Sequence, residues 1–153
     1  MIYEFDIRPV PIQLVIYENG TCKHSDMPAL RDSILIAVYG YLREYQIEVG
    51  GPPYCRFVAW RDEDCDIEAG FPLLYPVHAD GRLQVGQVGG GGALHTLHRG
   101  PYNRLGEAHK AALAWMTSHG KRQTGPPWEV YLTGHALFPD PKDWVAEVFY
   151  PVR

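Results

Sequence analysis

Two stiff turns of the same make constrain this chain more than any other feature. Gly51-Pro52-Pro53-Tyr54 recurs as Gly125-Pro126-Pro127-Trp128, 74 residues later. Proline fixes φ and has no N–H to donate, so a Pro-Pro pair forces extended backbone into the first residue of a strand. The runs "YCRFVAW" and "WEVYLTG" follow, each with strand-forming residues. One matched turn is within chance, but these two belong to a matched series. With residues 5–75 laid against 84–152, each half opens on a strand-like run, "VPIQLVIYE" in one and "ALHTLHRG" in the other. An amphipathic helix follows, then the Pro-Pro turn and its strand. Each half closes on Glu-x-x-x-Pro, in "DIEAGFPLL" (Glu68, Pro72) and "VAEVFYPV" (Glu147, Pro151). The last offset is 79 because the loop "HALFPDPKD", rich in Pro and Asp, is longer and irregular.

The first helix reads from "MPALRDSILIAVYGYLREYQ", with Leu30, Ile34, Ala37, Val38, Tyr41, Leu42 and Tyr45 on one stripe. Asp26 stands as its N-cap before Met27-Pro28. The second reads from "YNRLGEAHKAALAWMTSHG", with Leu105, His109, Ala112, Leu113 and Met116 in line, Asn103 at the start and Gly120 as the stop. The ends, Tyr45 and His119, are again 74 apart. The expected fold is α+β: tandem β-α-β-β halves, about 1–77 and 84–153, in one domain over 1–153. Their strands are expected to form a curved antiparallel sheet with two helices on one face and a central groove.

Length agrees with this. A chain of 153 residues buries roughly 70% of its unfolded surface and needs no staples. The net charge is −4 and no basic run occurs, which argues against direct contact with nucleic acid and is compatible with a cationic ligand. Cys22, Cys55 and Cys65 are odd in number and lack Cys-x-x-Cys spacing, so they read as reduced thiols of a cytoplasmic protein. The opening "MIYEFDIRPVPIQLVIYENG" has neither a basic start nor a cleavage site, and Asp6, Arg8 and two prolines break its apolar run. It reads as neither signal peptide nor membrane span.

Side chains alternate along a strand. In "WEVYL", Glu129 and Tyr131 share one face; in "VAEVFY", Glu147 and Phe149 share another. If these faces coincide, the groove holds two carboxylates among flat rings. Such a site suits a lipophilic cation, with cation–π contacts of about 0.5–2 kcal/mol each and a carboxylate acting in a dry environment. The first-half equivalents, Cys55 with Phe57 and Glu68 with Gly70, leave the acidic character in the second half. Trp60 and Phe71 are candidate first-half walls, and Tyr102 is placed to lean into the groove or to pack on its helix. Strand-end positions in water are the alternative for Glu129 and Glu147, and the preferred reading for Glu68. Trp115 and Trp144 read as core or surface plugs. "GGGG" at 89–92 lacks the Lys-Ser/Thr of a phosphate loop and reads as a turn. His95 and His98 face opposite sides of a strand and make no ligand pair; no metal and no cofactor are expected. No His or basic group is visibly paired with a cysteine as nucleophile.

The ordered set "GPPYCRF…IEAGFPL…GGGGALHTLHRGPYNRL…AWMTSHG…GPPWEVYL…AEVFYPV" resembles the GyrI-like (gyrase-inhibitor-like) small-molecule-binding family. That family includes effector domains of AraC-type and MerR-type multidrug-responsive regulators. "HRGPYNRL" ahead of a helix and the terminal Glu-x-x-x-Pro-Val are its most specific marks, and the likeness covers nearly the whole chain. The resemblance implies a pocket glutamate facing aromatic walls. By motif, that role falls on Glu129 and Glu147, with Tyr131 and Phe149 as walls. It implies a partner that is a hydrophobic, cationic or electrophilic aromatic compound, to be sequestered or detoxified. Two alternatives stay open: a hydrolase opening strained cyclopropane electrophiles, with Glu129, Glu147 or Tyr131 as acid or base, and a factor acting on a protein such as DNA gyrase.

Overall fold

The computed structural model describes residues 2–133 and 138–153. Within them the chain is α+β, with eight strands and two α-helices. The contacts divide it into two compact units. One is Pro11–Gly90, and the other joins the residues up to Val10 to Gly91–Arg153.

The unit Pro11–Gly90 contains β2 (Gln13–Lys23), α1 (Met27–Glu44), β3 (Tyr54–Trp60), β4 (Asp64–Pro72) and β5 (Gln84–Val88). Its strands lie in the order β3-β4-β2-β5, each antiparallel to its neighbour. Helix α1 buries Arg31, Ile34, Val38 and Leu42. The stripe is narrower than the sequence suggested. Tyr45 is exposed, and Tyr41 and Tyr45 pack on each other instead, with ring centroids 4.6 Å apart. The strands supply Ile16, Cys55, Phe57, Cys65, Ile67, Ala69 and Phe71 to the core.

The other unit contains β1 (Asp6–Val10), β6 (Gly91–Arg99), α2 (Leu105–Ser118), β7 (Trp128–Tyr131) and β8 (Val145–Pro151). Its order is β1-β6-β8-β7, again antiparallel. Helix α2 buries Leu105, Ala108, Ala112 and Met116, while Leu113 is exposed. The two units therefore share one topology, with β1 in the place of β5. The sequence reading assigned residues 1–77 to the first half. Residues 6–10 instead complete the second, because Asp6 to Val10 pair with His95 to Gly91.

Local signals explain the element ends. Both helices finish in the same cap. Ile47 N–H bonds Leu42 O (2.8 Å) and Lys121 N–H bonds Met116 O (2.9 Å), closing over Gln46 and Gly120 at φ 54° and 64°. This is the Schellman arrangement, which a left-handed residue makes possible. The helix starts differ from expectation. Asp26 occupies the N-cap position without a side-chain bond to the helix, and Asn103 sits inside a 3-10 turn, Tyr102–Arg104, ahead of α2. Gly89 and Gly90 form the turn read from "GGGG", at φ 91° and 100°, while Gly91 and Gly92 already belong to β6. Residues 134–137 of the long second-half loop lie outside the described residues; Pro141–Asp143 form a 3-10 turn. No helix among the described residues is long and apolar enough to cross a membrane.

Candidate functional site

Register decides which side chains meet. β7 and β8 pair Glu129 with Val148, Val130 with Glu147 and Tyr131 with Ala146. Residues directly opposite share a face, so Glu129 and Tyr131 lie on one side of this sheet and Glu147 and Phe149 on the other. The two glutamates do not converge. Sequence alternation assigns faces within a strand but not between strands, and the register falls one residue away from the expected coincidence.

Glu129 sits on the side that α2 covers and is 2% exposed. Its Oε2 accepts from His109 Nε2 at 2.6 Å, and its Oε1 accepts from the Tyr131 hydroxyl at 2.6 Å. His109 Nδ1 is 2.7 Å from the Tyr150 hydroxyl. Burial, and then the charge of Glu129, push the Tyr150 phenol upward and keep it protonated. Its O–H then donates to Nδ1, which leaves the imidazole proton on Nε2, facing Glu129. Tyr150, His109, Glu129 and Tyr131 thus form a continuous hydrogen-bonded chain. Tyr102 extends it with rings: its centroid is 5.2 Å from Tyr131 and 4.9 Å from Trp144. The Tyr102 hydroxyl is anchored on the carbonyl oxygens of Thr133 and Val145. Among the described residues, His109 is the only ion-pair partner of Glu129.

On the opposite side, Glu147 Oε2 meets His95 Nε2 at 2.7 Å, and His95 Nδ1 lies 3.1 Å from Asp6 Oδ1. Arg8, 2.8 Å from Asp6, and then burial and His95, set the Asp6 carboxyl, whose net shift is downward. Phe149 stacks on Trp128 at 4.8 Å and 12°, and His95 packs against Phe149 at 4.9 Å. A cavity of about 630 Å³ opens here, lined by Glu4, Asp6, Arg8, His95, Leu97 and Arg99 among others.

A model of the GyrI-like small molecule binding domain matches residues 4–153. The chain belongs to this family. No curated protein sequence matches the GyrI-like chain significantly. Solved structures do. The EcmrR C-terminal domain is 18% identical with a TM-score of 0.88, and the match covers 100% of this chain and 99% of that one. In the EcmrR–DNA complex, the chain spans 57% of the EcmrR chain, at 16% identity and a TM-score of 0.87. A hydrolase from Listeria innocua is 14% identical with a TM-score of 0.66, covering 98% of this chain and 92% of that one. SAV2435 bound to tetraphenylphosphonium is 11% identical with a TM-score of 0.68, covering 98% and 94%. At these identities the likeness is one of fold.

The remaining expected residues of this GyrI-like domain lie in the unit Pro11–Gly90. Glu68 is not a strand end in water. It is 3% exposed and accepts from the Tyr54 hydroxyl and from Arg56 Nη2, both at 2.7 Å. Burial and then Glu68 push the Tyr54 phenol up, so it stays a donor. Phe71 is buried against Tyr39 of α1, with centroids 5.7 Å apart. Trp60 is 56% exposed and stacks on His24 at 4.0 Å and 7°. In the other unit, Trp115 stacks on His119 at 3.8 Å. His95 and His98 do face opposite sides, pairing with Phe149 and Ala146 respectively. Sequence reasoning placed His109 in the helix stripe but missed it as the partner of Glu129. The signal was available. Its counterpart 74 residues earlier is Leu35, just as the counterpart of Glu129 is Cys55, so an acid and a base appear together in one half.

Proposed function

We propose that this GyrI-like domain binds aromatic, lipophilic cations, with Glu129 as the recognising charge and Tyr131, Tyr102 and Trp144 as the aromatic surroundings. The supporting observation is the contrast between two buried glutamates. Glu68 is neutralised by Arg56, whereas the ion-pair partner of Glu129 is an imidazole. A buried carboxylate without a permanent cation is costly. An aromatic cation supplies that charge together with stacking and cation–π attraction. The binding of tetraphenylphosphonium by SAV2435, a protein of the same fold, supports the ligand class. Sequestration of a toxic compound is the corresponding role.

Fluorescence titration with a rhodamine and calorimetry with tetraphenylphosphonium test the proposal. Glu129→Gln weakens binding by about tenfold or more, the scale of one lost buried charge contact. Glu147→Gln, on the other face, leaves affinity within about twofold. Equal affinity in wild type and Glu129→Gln would overturn the assignment.

One observation favours a catalytic reading. The chain Tyr150–His109–Glu129–Tyr131 can hold and pass a proton, which general acid–base opening of a strained electrophile requires. Incubation with a strained cyclopropane electrophile, followed by mass spectrometry, separates binding from turnover. Product that vanishes in Glu129→Gln selects the enzyme; a bound, unchanged compound selects the binder.

A further inference from the structure

Cys22 and Cys65 are far apart in sequence, and their spacing alone gives no reason to connect them. The antiparallel register of β2 and β4 places them directly opposite each other. Opposed residues of antiparallel strands have Cα atoms about 4.5–5.5 Å apart, inside the window of about 4.4–6.8 Å that a disulfide spans. Directly opposed residues share one face of a sheet, so the two side chains lie on the same side. Cys65 is 0% exposed, while Cys22 is partly open to solvent. Cys55, also 0% exposed, is paired with Ala69, away from both.

We propose that Cys22 and Cys65 form a site for a reversible intramolecular disulfide, with Cys22 the thiol that meets the oxidant and Cys65 the one that resolves it. The co-reactant is a low-molecular-weight disulfide. The Cys22 thiolate attacks one of its sulfurs, a mixed disulfide forms on Cys22, and a small thiol leaves. The Cys65 thiolate then attacks Cys22 Sγ, the second small thiol leaves, and the protein bond closes. Two protein thiols are oxidised, one external disulfide is reduced to two thiols, and each thiolate's proton passes to a departing thiolate. Exposure fixes the order, since a thiol buried like Cys65 is reached only through its neighbour. The bond closes the loop containing α1 and β3. It fastens β2 to β4 beside a corner already held by His24, whose ring contacts the Asp64 carbonyl at 3.0 Å and stacks on Trp60.

The experiment treats the folded protein with oxidised glutathione, blocks remaining thiols after denaturation and maps the peptides. Expected for wild type is a loss of two hydrogen masses, a single linked peptide joining Cys22 to Cys65, a blocked Cys55, and full reversal by dithiothreitol. Cys65→Ser stops at the mixed disulfide, with one glutathionyl group on Cys22. Cys22→Ser, while folded, takes up none. A link that involves Cys55, or a wild type that halts with glutathione on Cys22, or no reaction at either residue, overturns the proposal. The wild-type map decides even if a variant fails to fold.

Discussion

The Glu129 carboxylate and the His109 ring can be tested as a pair. Removing one member takes the 2.6 Å partner from the other, and a buried polar group that loses a hydrogen-bond partner costs about 1–3 kcal/mol. His109→Leu alone and Glu129→Cys alone are therefore each expected to lower stability by that order in urea denaturation. The double variant installs the Leu35 and Cys55 of the other half. It is expected to recover much of the loss, because replacing both partners by apolar groups is close to neutral. Simple additivity of the two losses would contradict the coupling. A second residue carries a pH dependence. Hydrogen bonds from Arg61, and then from Thr21, hold the Asp66 carboxyl at about 2, below its usual range. A depressed folded-state value means that its stabilisation is present above the ordinary carboxylate pKa, near 4, and is lost as the pH falls towards 2. A carboxyl NMR titration should find the Asp66 midpoint well below those of exposed aspartates, and Arg61→Ala should move it upward.

At the scale of elements, the matched helix caps make opposite predictions. Gln46 adopts the left-handed conformation that Gly120 adopts at the equivalent place. A non-glycine residue there costs about 1 kcal/mol. Gln46→Gly should raise the thermal midpoint, and Gly120→Ala should lower it. Gly70 is a different case. A Cβ at this position would lie 1.9 Å from the Ile16 carbonyl oxygen and 2.7 Å from Tyr17 Cα, both backbone atoms of β2. Gly70→Ala must therefore push β2 off β4, and loss of cooperative unfolding is the expected result. These elements were largely legible in the sequence. Pro-Pro turns, β-branched runs and apolar spacing depend on local sterics, and they placed β3, β7 and both helices. Asp26 holds the N-cap position read from the sequence, though without a side-chain bond, whereas Asn103 was assigned by residue type and falls inside the 3-10 turn ahead of α2.

The whole molecule hid more, and each feature hidden depended on register between distant strands. Alternation put Glu129 with Tyr131 and Glu147 with Phe149 correctly. It did not fix that Val130, rather than Glu129, faces Glu147. The same limit concealed the Cys22–Cys65 pair and the burial of Glu68 against Arg56. It also concealed the swap of the first strand, since Asp6–Val10 is short and its partner β6 begins at Gly91. The duplicated topology was readable because four ordered features repeat; the divergence between the copies was readable only as residue differences such as Cys55 against Glu129.

The placement of β1 has a consequence for how the chain emerges during synthesis. Residues 6–10 leave the ribosome ahead of Pro11–Gly90, yet their hydrogen-bonding partners, 91–95, are made only after the whole of that segment. Through the intervening period that segment has its own strands and helix to assemble, and β1 has nothing to join. It waits as an unpaired edge. Its sequence suits that interval, since Asp6 and Arg8 keep it charged and Pro9 removes a donor, the features that discourage strands from pairing with strangers. A released chain ending at residue 90 should lose residues 6–10 to a protease early, while Pro11–Gly90 resists.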